Sequence, residues 1–319
     1  MLTSASRVLR LRLPSVVLFL AAGSVYAQKG GQATPKVVTF TINGQAGAVT
    51  PNGIDDDGVV TGSYTDAFGG GHGFVYYRGA AVTVDAPDPM MPLAGLSQVN
   101  NRLRAAGNYG DGWSTSLAGT FDIKKREWTT LPSVGDGTFD AASGVNDSGT
   151  VVVVSVSTDP STGMPYMTSF VYRHGAYSPV VVPNDAVPFQ IATAINNDGT
   201  VVGAYSDITG QLHGFVTHGS KSESVDGPAG VGWVNTAVNG INNHGDIVGT
   251  YRLNGRGHGF IRTHDGRYLT FDVANSDPKV ETTLNAISDD GNITGYCAVL
   301  SQGAVAAFYA LDALPTAKK

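Results

Sequence analysis

One short pattern recurs six times along the chain: an apolar residue, two polar residues, a variable residue and glycine. The copies are Ile54-Asp55-Asp56-Asp57-Gly58, Val99-Asn100-Asn101-Arg102-Leu103, Val145-Asn146-Asp147-Ser148-Gly149, Ile195-Asn196-Asn197-Asp198-Gly199, Ile241-Asn242-Asn243-His244-Gly245 and Ile287-Ser288-Asp289-Asp290-Gly291. Their first residues lie 45, 46, 50, 46 and 46 positions apart. The second copy puts Leu103 where the others put glycine, which predicts a longer or looser corner there. A fixed period of this length marks an architecture whose units hide their faces against one another.

Each copy continues alike. A β-branched run follows the corner, as in Val201-Val202-Gly203-Ala204-Tyr205, then a polar turn and a second run such as His213-Gly214-Phe215-Val216. A third run follows, as in Tyr268 to Val273, and a fourth leads into the next corner, as in Thr236 to Ile241. Short β-rich runs punctuated by Gly, Asn and Asp read as strands joined by tight turns. No stretch beyond residue 27 holds a 3.6-residue apolar period, so helix is not expected. Four strands per repeat, six times over, predicts an all-β fold, a six-bladed β-propeller over residues 37–312. A linear β-solenoid would need shorter rungs and atypical end repeats. The last copy lacks a strand, and Val37 to Ile42 is one to spare, so an N-terminal strand is expected to complete the final blade.

Residues 1–27 read as a secretory signal peptide. Arg7, Arg10 and Arg12 precede the apolar run Val16 to Ala22, and Val25-Tyr26-Ala27 has the small-x-small form of a cleavage site. The run is shorter than the ~20 residues of a membrane span. Residues 28–36 read as a flexible linker and 313–319 as a tail, and the protein is expected to be secreted or periplasmic. The whole chain carries 20 basic and 26 acidic residues; removing the leader takes three basic ones and leaves a net charge of −9. That balance argues against nucleic acid as a partner. The one cysteine, Cys297, can form no intrachain disulfide and is expected to be buried and inert.

These repeats resemble the bacterial extracellular HAF-type repeat, named for a His-Ala-Phe element. The element stands here as His72-Gly73-Phe74, His213-Gly214-Phe215 and His258-Gly259-Phe260, and the stretch Gly240 to Tyr251 carries the G-I-N-N-x-G-x-x-V-G-x-Y part. The resemblance covers about residues 37–312. Copy two departs, with Ala118-Gly119-Thr120-Phe121, as do Thr168-Ser169-Phe170 and Ala306-Ala307-Phe308 in copies three and six. The resemblance implies export and a repeat fold, and no catalytic residue.

The three histidines sit at equivalent places in separate repeats, so they are expected to fix local hairpins and not to share a metal. The acidic corners supply too few oxygen ligands for a calcium loop. No metal site and no cofactor are expected, since no nucleophile elbow, zinc motif or phosphate loop is present. Two residues before each corner stand Asn52, Ser97, Ser143, Thr193, Asn239 and Asn285, which are expected to line a wet central channel. The loop face where the innermost strands begin is expected to gather Tyr109, Trp113, Trp233, Arg252, Asp66, Asp111 and Asp207, with Asp88 and Met90. Aromatic faces beside carboxylates suit sugars or peptides. The leading expectation is a monomeric, non-enzymatic protein that binds an extracellular glycan or peptide. The alternatives are a polysaccharide hydrolase or lyase using loop carboxylates such as Asp66, Asp111, Asp207 and Asp277, and a structural cell-surface scaffold.

Overall fold

The structure is a computed structural model that describes residues 37–42, 49–112, 114–135, 139–183, 186–228, 235–273, 279–299 and 304–314, without the side chains of 186–188, 299 and 304. The leader, the linker and the tail beyond residue 314 lie outside the described residues.

All regular structure among the described residues is β. After β1 (Val37–Phe40), a first meander comprises β2 (Val49–Ile54), β3 (Val60–Thr65), β4 (Gly71–Tyr77) and β5 (Ala80–Val84). The second comprises β6 (Leu93–Val99), β7 (Arg104–Gly110), β8 (Ser116–Asp122) and β9 (Glu127–Thr130). The third comprises β10 (Phe139–Val145), β11 (Val151–Thr158), β12 (Pro165–Arg173) and β13 (Ala176–Pro179). The fourth comprises β14 (Ala186–Ile195), β15 (Val201–Asp207), β16 (Leu212–His218) and β17 (Lys221–Val225). The fifth comprises β18 (Thr236–Ile241), β19 (Ile247–Leu253), β20 (Arg256–Arg262) and β21 (Tyr268–Phe271). The last three strands are β22 (Val280–Ile287), β23 (Ile293–Val299) and β24 (Ala304–Ala310). Their sheet runs β1-β24-β23-β22, with Val37 opposite Ala310 and Phe40 opposite Ala307. The N-terminal strand thus supplies the fourth member that the last copy lacks.

The repeated motif has a packing cause. On the second strand of four meanders, Gly62, Gly203, Gly249 and Gly295 lie directly opposite Phe74, Phe215, Phe260 and Phe308. Each of these rings is fully buried. A Cβ on Gly249 would overlap the carbonyl oxygen of Ala237 and lie 2.8 Å from the Phe260 ring, so the glycine and the aromatic ring require each other. Copy two shows what happens without the pair. Gly107 faces Gly119, and Trp128 of β9 covers both, within 3.1 and 3.2 Å of where their Cβ atoms would be.

The core is divided into buried clusters, each drawn from neighbouring meanders. Val84 packs with Leu96 and Phe121, Ala118 with Ala142, Val152 with Ile195, and Val202 with Val238. Val248 packs with Leu284 and Phe308, and Val49 with Ala286, Ala307 and Phe40. Cys297 is fully buried in one such cluster, where desolvation raises its thiol pKa. Each meander therefore buries both faces against its neighbours, which supplies most of its stability.

The corners form tight turns as expected, with Gly199 at φ 81° and Gly245 at φ 85°. The second corner is a correction. Leu103 adopts the left-handed conformation itself, at φ 61°, and keeps the bonds Leu103 N to Asn100 O (3.1 Å) and Asn100 N to Arg104 O (3.0 Å). The corner is no longer than the one at Asn196, which makes the same two bonds at 3.1 Å each.

Candidate functional site

Each first strand of a meander slips register at the residue expected to line the channel, and β14 slips a second time between Ala186 and Gln190. The slips fall between Pro51 and Gly53, Leu96 and Val99, Ala142 and Gly144, Ala192 and Ala194, Val238 and Gly240, and Leu284 and Ala286. A bulged residue leaves the ladder and can aim its side chain elsewhere. Asn52, Ser143, Thr193, Asn239 and Asn285 donate from their side chains to the carbonyls of Leu96, Ala192, Val238, Leu284 and Pro51, at 2.6–3.0 Å. Ser97 contributes its carbonyl, which accepts from Thr61 Oγ1 at 2.6 Å. Five of these residues do more than solvate a channel: they stitch the first strand of their own meander to the first strand of the next.

Two further tiers follow at the corners. Asn100, Asn146, Asn196 and Asn242 are buried, and each donates its amide to the carbonyl of the next corner, at 2.9–3.2 Å. At the rim, the backbone N–H groups of Asp56, Asn101, Asp147, Asn197, Asn243 and Asp289 each donate to the side-chain oxygen of the next, at 2.7–3.2 Å. The series that starts at Asp56 ends with Asp289 donating back to it. Burial, reinforced by the Asp289 charge, raises the Asp56 carboxyl pKa.

The space inside these tiers is about 40 Å³, room for a water and not for a sugar ring. Gln98 largely closes it. Its Nε2 donates to Ile195 O at 3.0 Å, and its Oε1 accepts from Val145 N at 3.2 Å and Ile195 N at 3.1 Å. The other copies hold Gly53, Gly144, Ala194, Gly240 or Ala286 at that place. One long side chain in a column of small ones is the signal in the sequence that marks it.

The histidines are hairpin clamps. His72 Nδ1 lies 2.6 Å from Asp85 and Nε2 3.3 Å from Asp66; His213 repeats this with Asp226 at 2.6 Å and Asp207 at 3.3 Å. The rings stack on Tyr64 and Tyr205, as His258 does on Tyr251. Burial alone would push His72 and His213 down, but the bonds to Asp85 and Asp66, and to Asp226 and Asp207, outweigh it and raise both above the usual histidine value. His258 keeps one carboxylate, Asp272, at 2.8 Å.

The expected loop-face residues divide. Asp66, Asp111 and Asp207 each cap their own turn, as in the bonds Gly70 N to Asp66 (2.7 Å), Thr115 N to Asp111 (2.9 Å) and Gln211 N to Asp207 (2.9 Å). The Thr209 hydroxyl and these turn amides pull Asp207 down to about 2. Arg252 binds Glu281 Oε1 at 2.7 Å. Met90 is open to solvent. Tyr109 is a correction: it is only 5% exposed, packs edge-on against Trp128 and bonds Thr130. The strand alternation that places it also turns it inward. Trp113, Trp233 and Asp277 lie outside the described residues.

A groove of about 530 Å³ opens instead between the outer strands of the first and second meanders. Thr83, Val84, Asp85, Ala86 and Pro87 form one wall, and Phe121, Arg126, Glu127 and Trp128 the other. Trp128 Nε1 donates to Asp85 O at 2.9 Å, which pins the indole across the junction. Tyr177 and Tyr268 make the same kind of bond, to Pro132 O and Asp226 O. Trp128 is half-buried, while Asp85, Arg126 and Glu127 are exposed. The groove therefore offers part of a half-buried indole flanked by one cation and two carboxylates. Its volume falls within the ~300–1,000 Å³ of small-molecule sites. Among the described residues, no three metal-ligating side chains converge.

The fold is shared with solved structures at low sequence identity. AofleA from Arthrobotrys oligospora is 14% identical, covers 89% of this chain and 88% of its own, and superposes with a TM-score of 0.52. TolB from Acinetobacter baumannii is 11% identical, with 81% of this chain and 65% of that chain covered and a TM-score of 0.50. The Aleuria aurantia lectin, described with a six-bladed β-propeller fold and a fucose recognition mode, is 10% identical over 86% of this chain and 98% of its own, at a TM-score of 0.49. No protein-family model and no curated protein matches the chain.

Proposed function

We propose that the chain is an exported β-propeller of six HAF-type blades, closed by β1, that binds an extracellular glycan between its first and second blades. Three observations support the closed ring: β1 pairs with β24, the rim bonds return from Asp289 to Asp56, and Asn285 donates to Pro51. The leader supports export.

The observation that carries the binding reading is the groove with Trp128 at its back. An indole face stacks on the apolar face of a sugar ring, and Asp85, Arg126 and Glu127 stand where ring hydroxyls would need acceptors and a donor. The channel holds too little space for such a ligand. Function on propellers resides in sites that the frame positions, and this site lies between two rigid blades.

Glycan and peptide arrays probed with the protein test the reading. Wild type is expected to label glycans, with or without a chelator, and Glu127→Gln and Trp128→Ala are expected to lose that labelling. Glu127→Gln serves beside Trp128→Ala because the indole also fills the blade. Binding confined to peptides, or glycan binding untouched by both changes, would contradict the assignment.

A further inference from the structure

We propose that the ligand of this groove is an acidic polysaccharide, a chain of uronic-acid residues whose carboxylates pair with the cations of the second blade. The proposal rests on the glycan reading and narrows it.

The chain is acidic overall, yet Arg102, Arg104, Lys124, Lys125 and Arg126 all belong to the second blade. The fifth blade has four arginines, Arg252, Arg256, Arg262 and Arg267, but each of them is paired with a carboxylate. The other five corners carry no lysine or arginine. The corner and the β8–β9 turn are joined: Ile123 N donates to Leu103 O at 3.0 Å, and Arg104 reaches Asp122 at 3.7 Å and Thr120 Oγ1 at 3.4 Å. That places the five cations on one continuous edge beside two carboxylates, Asp122 and Glu127. Arg102, Lys124, Lys125 and Arg126 form no ion pair among the described residues. Arg126 belongs at once to this edge and to the groove wall.

Two non-glycine residues in the left-handed conformation hold the edge in place, Leu103 at φ 61° and Arg126 at φ 61°. The chemistry selects among polyanions. A uronate chain carries hydroxyls that can donate to Asp85 and Glu127, and one carboxylate per ring for Arg126 and the lysines. A phosphodiester chain would bring its charges against those same two carboxylates with fewer hydroxyls to offset them. Exposed pairs of this kind are weakened by salt, so the preference should fade as ionic strength rises.

Short polygalacturonate oligomers and their methyl esters, titrated against the full chain at low salt, test this. The acid is expected to bind about tenfold tighter than the ester. That preference should shrink toward parity in Lys124→Gln/Lys125→Gln, and survive in Lys221→Gln on the fourth blade. Equal binding of acid and ester overturns the proposal while leaving the glycan reading intact, provided Trp128→Ala still weakens both. An undiminished preference in the double variant overturns it as well, since the charge would then be read elsewhere. Tighter binding of a single-stranded DNA oligomer overturns it in favour of nucleic acid. Failure of both oligomers to bind, beside Trp128-dependent labelling of other glycans, overturns the acidic assignment alone.

Discussion

Leu103 stands where the other five corners have glycine, and it pays for the position with a left-handed backbone. That conformation costs an L-residue roughly 1–2 kcal/mol. Leu103→Gly is expected to stabilise the protein by about 1 kcal/mol in urea unfolding, and a loss of stability would show that the Leu103 side chain matters more than its backbone. The buried tier has two exceptions of its own, Ser288 and the ionisable Asp55. Asn100, Asn146, Asn196 and Asn242 donate to the next corner from that place, which an ionised carboxylate cannot do. Its Oδ1 accepts from Val59 N at 2.7 Å, yet burial, reinforced by Asp57 and Asp56, pushes the Asp55 carboxyl up to about 6. The folded state therefore holds the proton more tightly than the unfolded chain. Its contribution is largest below the ordinary carboxylate value near 4 and is lost as pH rises through about 6. Asp55→Asn should raise stability at pH 7 by on the order of 1–2 kcal/mol and flatten the dependence between pH 4 and 7. An unchanged pH profile would contradict this. Leu103 is visible in the aligned corners as a single letter out of its column, and Asp55 as one of two, beside Ser288. Their consequences are not, because neither the left-handed Leu103 nor the missing Asp55 donor can be read without the neighbouring corner.

The strand order and turn positions are legible because each hairpin carries its own glycine and its own alternation. Gln98 and Trp128 are harder to read, since Gln98 acts on other repeats and Trp128 acts both on its own and on the one before it. Gln98 reaches the third and fourth blades, and Trp128 takes the place of a phenylalanine that its blade lacks. Tyr109 misleads for the opposite reason: its strand alternation faces it inward, although it stands near a loop. The paired glycine and phenylalanine give a sharp test. Gly249→Ala should cost about 3 kcal/mol, because its Cβ meets backbone and a buried ring. Gly266→Ala, at φ 86° with open space around it, should cost only about 1 kcal/mol of backbone strain. Equal losses in denaturant unfolding would refute the packing account of the motif. The clamps add a pH signature. His213 is raised above the ordinary histidine value, so its contribution is complete below about 6.5 and is lost as pH rises through its folded value. The protection of the amides in the turn at 207–211, taken relative to their intrinsic exchange rate at each pH, should fall between pH 5 and 8, and Asp226→Asn should lower the His213 titration point seen by NMR. A titration point unmoved by that change would remove Asp226 from the clamp.

At the scale of the whole molecule, six repeats suggest a ring only if the first and last meet. β1 makes that junction: it pairs with β24, and its Phe40 stacks on Tyr76 at 4.3 Å and meets Phe74 edge-on at 6.0 Å in the first blade. Ile42 is fully buried at the same seam. The spare N-terminal strand makes this junction legible in the sequence, whereas the stitching around the channel emerges only when the corners stand side by side. The two walls of the groove belong to the first and second meanders, so their spacing depends on the packing of those meanders against each other. Thermal unfolding and gel filtration of a chain lacking residues 37–42 test the closure most directly. Removing β1 should expose the edge of β24 and uncover the Phe74 and Tyr76 rings, lowering Tm by about 10 °C and driving self-association through the open edge. A truncated chain that melts with the intact protein and elutes as the same species would contradict a ring closed by β1.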